Sequence, residues 1–325
     1  MLEIITHPIF IWTLVGIILF SIFMLILSYI VASYFVYIKT LSRTSKDVWS
    51  RDIPSSIDEE STKMYDAGLK WAKENEQHKQ DVHIINEGLN LYGEYYDFGK
   101  KTCVIVLSGR TECLKYCYYF AIPYSKRCNV LVLDPRAHGL SDGRFNTVGF
   151  EESKDIAKWV EYMHNTYNLE SFIFHGICIG AAGGVLAITL RNCLPYVDAI
   201  VTEGMFPNFK ESMKNNLIQK KKPVFIFYDM VNWWQKHYTG YTMDIGPIDY
   251  IDKLNVPLLM LHSKKDLSSK PDYAQKLFDK AASPIKELVW FDEGAHSKVR
   301  INNTEKYDKA INDFLDKVFV NKKCN

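Results

Sequence analysis

The chain has 325 residues, 47% of them hydrophobic and 24% charged, which suits a folded protein rather than a disordered one. A formal net charge of +1 is too small for a nucleic-acid binder. Seven cysteines, an odd number without disulfide-framework spacing, fit a reducing compartment.

From Ile4 to Ile38 the sequence contains no Asp, Glu, Lys or Arg. At ~1.5 Å per residue, ~20 apolar residues cross the hydrocarbon core, so Ile9 to Phe35 is long enough to span even when tilted. A cleaved signal peptide would have a basic start and a shorter apolar core, whereas this one opens with Glu3. Residues 1–40 therefore read as an uncleaved transmembrane anchor, making the protein a single-pass membrane protein. Lys39, Arg43 and Lys46 follow the span, and this basic excess predicts a cytoplasmic C-terminal domain. Residues 41–75 read as a linker and membrane-proximal segment: Thr40 to Ser61 is polar and carries Pro54-Ser55-Ser56, and Met64 to Asn75 has the pattern of a short amphipathic helix.

Residues 76–325 form one expected domain. Val82 to Ile85 and Leu89 to Tyr96 read as a β-hairpin. Short apolar runs follow at Cys103–Leu107, Val130–Leu133, Phe172–Phe174, Ala199–Val201, Leu258–Leu261 and Leu288–Phe291, each the length of a strand buried on both faces. Helical stripes separate them, such as Ile156, Trp159, Val160 and Met163, or Tyr307, Ile311, Phe314 and Val318 near the C-terminus. Alternating strand and helix predicts a mostly parallel sheet covered on both faces, with ligands at the carboxyl ends of the strands. The alternation breaks at about 206–246, where a helical, aromatic insertion has the position of a lid.

The chemistry concentrates at Gly176-Ile177-Cys178-Ile179-Gly180, which follows the Phe172–Phe174 run and precedes a small-residue helix from Ala181 to Ala187. Strand, tight turn and helix are the setting of the nucleophile elbow G-x-S-x-G, here with Cys178 in the serine position. Glycines flank the nucleophile because side chains there would crowd the turn. The bland alternative is a structural cysteine at a Gly-rich turn, since free cysteines are commonly buried. A nucleophile needs a base and the base an orienting carboxylate, in the chain order nucleophile, acid, histidine. Asp266 follows the Leu258–Leu261 run and His296 follows Leu288–Phe291, so both fall on the strand edge that carries Cys178. Asp292 and Glu293 are the competing acids, but they lie too close to His296 along the chain to orient it easily. Nothing in the sequence calls for a cofactor: Cys113 and Cys117, four apart on an expected helix, lack the further ligands of a metal site.

Ser108-Gly109-Arg110-Thr111, the run from Asp134-Pro135-Arg136-Ala137-His138 to Gly143, the elbow and the Asp266 and His296 loops together resemble the bacterial membrane-anchored α/β-hydrolases. They are similar to the lysophospholipase, monoacylglycerol lipase and serine aminopeptidase-like group, over roughly His83 to Val318. The resemblance implies an α/β-hydrolase fold with a small helical lid, and an oxyanion hole built from the backbone amides of Arg110 and Ile179. It implies a structural role for Arg136 and His138, with Ala137 standing where the family has glycine. Relatives of the dienelactone hydrolase and bile-acid acyltransferase types also use cysteine at the elbow. The expected activity is hydrolysis of ester, thioester or amide bonds through an acyl-cysteine, on a small-molecule or lipid-like acyl substrate. Acyl transfer through the same intermediate, or a silent binding scaffold, are the alternatives. Trp233, Trp234, Tyr238, Tyr241, Phe225 and Phe227 are candidates to line an acyl pocket or to pack the lid onto the sheet.

Overall fold

The computed structural model describes residues 8–43, 58–110, 112–191 and 193–324. Most of the expected linker, including Lys46 and Pro54 to Ser56, lies outside the described residues, as does Thr111. In chain order the elements are α1 (Pro8–Leu41), α2 (Glu59–Glu74), β1 (Lys79–Asn86), β2 (Leu89–Tyr96), β3 (Thr102–Leu107), α3 (Leu114–Ala121), β4 (Asn129–Leu133), α4 (Phe150–Tyr167), β5 (Ser171–Ile177), α5 (Ile179–Leu190) and β6 (Val197–Glu203). They continue with α6 (Phe209–Gln219), α7 (Val224–Thr239), β7 (Leu258–Ser263), α8 (Pro271–Lys280), β8 (Lys286–Phe291), α9 (Val299–Asn302) and α10 (Thr304–Cys324).

The strands form one eight-stranded sheet in the order β1-β2-β4-β3-β5-β6-β7-β8. The first two are an antiparallel hairpin whose turn residues Glu87 (φ 50°) and Gly88 (φ 80°) are both left-handed, as a tight two-residue hairpin turn requires. β2 pairs antiparallel with β4, and every later pair is parallel. β3, β4 and β5 are buried along almost their whole length, which explains their unbroken apolar character. Val104 and Val106 face a core with Tyr118, Phe120 and Phe314, whereas Cys103 and Ile105 face one with Trp159, Val160 and Met163.

Helix α1 is one long apolar helix, a candidate membrane span by length and composition. Its residues from Pro8 to Ser28 are exposed, but burial begins at Tyr29, and Ser33, Tyr37 and Leu41 are fully covered by the domain. Beyond the helix, Ser42 bridges Phe145, the Asn146 amide donates to the Leu41 carbonyl at 2.9 Å, and the Arg43 guanidinium donates to the carbonyls of Gly139 and Ser141. α2 packs along α3, with Trp71 against Tyr96 and Tyr65 against Tyr116. The expected insertion holds α6 and α7, and α7 lies along α1.

Candidate active site

Cys178 stands between the end of β5 and the first residue of α5, with φ 53° and ψ −113°, a combination that an L-residue holds only under strain. The flanking glycines are steric necessities. A Cβ at Gly176 would lie 2.4 Å from the Ala181 Cα, and one at Gly180 would lie 2.2 Å from the Leu107 carbonyl oxygen. The Cys178 amide is pinned by donation to the Glu203 carbonyl at 2.9 Å, across the parallel β5–β6 pairing that sets Ile177 beside Glu203. The thiol thus projects at the N-terminus of α5, whose first amides have no partner within the helix and whose dipole favours negative charge.

His296 comes from the loop after β8 and Asp266 from the loop after β7. Their side chains meet, His296 Nδ1 to Asp266 Oδ2 at 2.7 Å. Asp266 is buried, and its other oxygen accepts from the Ser268 and Ser269 amides, both at 2.8 Å. That fixes the carboxylate and leaves one oxygen for the imidazole. Burial by itself lowers the His296 pKa, but the charge of Cys178, a hydrogen bond to Asp266 and another to Cys178 together carry it well above the ordinary histidine value. The structure therefore brings Cys178, His296 and Asp266 into one connected group. The competing acids do not join it: Asp292 is exposed and paired with Lys264, and Glu293 with Lys265.

No family model matches the chain. It is 29% identical over 191 residues to the protein YqkD of Bacillus subtilis, covering 58% of this chain and 62% of that one. It is 22% identical over 208 residues to α/β hydrolase domain-containing protein 17B of Xenopus tropicalis, covering 63% and 62%. The matches thus span less than two thirds of these relatives' own length. In three dimensions it is similar to the Pyrococcus furiosus esterase Pf2001, with a TM-score of 0.64 and 22% identity over 76% of this chain and 93% of that one. An α/β-hydrolase from Vibrio vulnificus gives 0.58 with 16% identity, over 84% and 90%. The chain has the α/β-hydrolase fold.

On this α/β-hydrolase fold the loop after β3 runs past the nucleophile: a Cβ added to Gly109 would sit 3.8 Å from the Cys178 Cβ. The Gly109 amide donates to the Glu112 carboxylate at 3.1 Å, and Arg110, one of the two residues expected to lend an oxyanion-hole amide, follows it on this loop, while Ile179, the other, opens α5. The Arg110 guanidinium in turn donates to the Thr40 carbonyl at the end of α1, at 2.9 Å. Arg136 and His138 serve the scaffold. Arg136 clamps Asp155 through two hydrogen bonds of 2.6 and 2.7 Å, and His138, pushed down to about 4 by burial, binds the Arg136 carbonyl. Ala137 has φ 63°, which is the conformation that makes glycine the natural residue there.

Two neighbours of the triple are absent from the sequence reading. Gly204 has φ 61°, and a Cβ there would lie 3.0 Å from His296 Cε1 and 3.4 Å from Asp266 Oδ2. Glu203 is fully buried and accepts from the Val299 amide at 3.0 Å and the Tyr307 hydroxyl at 2.7 Å, tying the segment after His296 to the strand that holds the elbow. Burial pushes its carboxyl up to about 7. Tyr307 continues through His175 to Tyr124, each link 3.1 Å. Nothing in a β-strand that ends Thr-Glu and is followed by Gly marks these roles, because they arise from strand pairing.

The lid aromatics follow the packing alternative in part: Phe227, Trp234 and Tyr241 lie against the core on one face of the sheet. Phe227 meets Tyr29, Trp234 meets Tyr34, and Tyr238 stacks on Tyr37, so they bind helix α1, whereas Tyr241 stacks on Phe150. A cavity of about 40 Å³, enough to hold water, is lined by Ser108, Arg136, Ile179 and Trp159 among others.

Proposed function

We propose that this protein is a membrane-anchored hydrolase of ester, thioester or amide bonds that works through an acyl-cysteine. The observation that carries the reading is the Cys178–His296–Asp266 group, in which both partners of His296 favour its protonated form. The Cys178 sulfur attacks the acyl carbon, forming a C–S bond while the carbonyl electron pair moves to oxygen. The Arg110 and Ile179 amides face that oxygen, an arrangement in which a single donor is worth about 10²–10³ in rate. Collapse of the intermediate breaks the bond to the alcohol, thiol or amine, which leaves with the proton of His296. Water then attacks the thioester as His296 removes its proton, and the sulfur departs as thiolate. Asp266 keeps the imidazole in the required orientation and tautomer throughout.

The similarity to an esterase fold supports the acyl class of substrate, and the apolar helix α1 supports the membrane location. The test is mass spectrometry of acid-quenched protein after exposure to p-nitrophenyl acyl esters. An acyl adduct on the peptide carrying Cys178, absent in Cys178→Ala, is expected. Turnover by Cys178→Ala at the unaltered rate would overturn the assignment.

A further inference from the structure

The exposed stretch of α1, Pro8–Ser28, is about 31 Å long at ~1.5 Å per residue, matching a ~30 Å hydrocarbon core. If that stretch spans the bilayer, its boundary falls at Tyr29, the first residue that the domain covers. The contacts of α7 then fix which end of the lid is nearest the membrane. Phe227 meets Tyr29 with ring centroids 5.7 Å apart, Trp234 Nε1 donates to Ser33 Oγ at 3.1 Å, and Tyr238 stacks on Tyr37 at 5.6 Å. Helix α7 therefore runs alongside α1 away from the bilayer, and its first residue, Val224, lies one helical turn on the bilayer side of Phe227. The α6–α7 turn sits at that level. It carries three consecutive exposed lysines, Lys220, Lys221 and Lys222, next to Ile218, whose side chain is 58% exposed.

We infer that the α6–α7 turn is a second membrane contact, in which Lys220 to Lys222 bind anionic phospholipid headgroups of the leaflet that α1 leaves. The inference rests on α1 being a membrane span. Three ammonium groups, none with an ion-pair partner among the described residues, are placed where an anionic surface attracts juxtamembrane basic segments. Ile218 supplies the apolar side of an interfacial contact. The lid is then tied to the bilayer twice, along α1 and through its own tip.

Hydrogen exchange of the full chain in nanodiscs tests this. With phosphatidylglycerol present, the amides of 216–227 should exchange at least about threefold more slowly than in pure phosphatidylcholine. The difference should vanish in the triple variant Lys220→Gln, Lys221→Gln, Lys222→Gln, and also in 1 M salt, where charges are screened beyond about 3 Å. Equal exchange in both lipids, or unaltered slowing in the triple variant, overturns the headgroup contact. Protection of 9–28 in the same data reads the span separately. If that stretch exchanges freely in nanodiscs, the span and this contact fall together, while the acyl-adduct test of Cys178 stands untouched.

Discussion

Gly204→Ala is the substitution that best separates a working His296–Asp266 pair from an ornamental one. The added methyl would sit 3.0 Å from His296 Cε1, 3.1 Å from Nδ1 and 3.4 Å from Asp266 Oδ2. It therefore pushes on both partners of a 2.7 Å hydrogen bond, and the imidazole must yield by a few tenths of an ångström. Displacement of 1 Å costs about 10²-fold in rate, so a shift of this size should lower kcat by roughly tenfold. The left-handed φ of 61° adds about 1–2 kcal/mol of strain to any L-residue placed there. Gly88 supplies the control: its φ of 80° imposes the same kind of strain, but no atom lies within 4 Å of its Cβ position. Gly88→Ala should lose stability in urea unfolding without changing the rate of Cys178 alkylation by iodoacetamide. Gly204→Ala should lose both stability and alkylation rate. Equal alkylation and turnover in the two variants would refute the claim that this contact sets the histidine.

Cys178→Ala and His296→Ala should each lower turnover by at least about 10³-fold, with the double variant little worse than either, because the members act as one unit; steady-state rates on p-nitrophenyl esters decide it, and additive losses would argue against a triad. The folded-state pKa of His296 is raised, so its contribution to stability is present below the unfolded value of about 6.5 and is lost as pH rises through the higher folded value. The stability gap between the wild type and His296→Asn in urea should therefore narrow from neutral to alkaline pH. Deletion of residues 1–28 should leave the domain's thermal midpoint unaltered, because none of the described residues among them is buried. Deletion through Thr40 removes the Tyr37 contacts, worth roughly 1.5–3 kcal/mol for a buried side chain of that size, together with the acceptor of Arg110. It should lower the midpoint, and kcat more than KM; an unaltered kcat would show that the Arg110 loop holds itself.

The parts of the site that the sequence displays are those governed by local rules. Gly176 and Gly180 are dictated by contacts within a few residues of Cys178, or with the adjoining strand, and they surface as a motif. Asp266 and His296 are legible through chain order and through their place after apolar runs. Their 2.7 Å contact is not, since it depends on β7 and β8 pairing in register, Leu258 to Lys286 and onward. Glu203 and Gly204 are hidden for the same reason. They become neighbours of the site only when β6 is laid beside β5, and along the chain they look like the end of any strand.

Helix α1 shows the converse case, a pattern present in the sequence but masked by a stronger one. From Pro8 to Leu41 the helix is so uniformly apolar that it reads as lipid-facing throughout. Yet Tyr29, Ser33, Tyr37 and Leu41 recur every fourth residue, which places them on one face of a helix. Lipid gives no reason to align a serine with two tyrosines, whereas a protein partner does: Ser33 accepts the Trp234 indole, and Tyr37 stacks with Phe145 and Tyr238 in a cluster of three rings. Hydropathy weighs how apolar a window is and ignores which side each residue occupies. The boundary between the exposed and the protein-covered parts of α1 is therefore drawn by the onset of that stripe at Tyr29, some twelve residues before the helix ends, at ~1.5 Å each. The covered part of α1 also reaches the loop after β3, where the Thr40 carbonyl accepts from the Arg110 guanidinium.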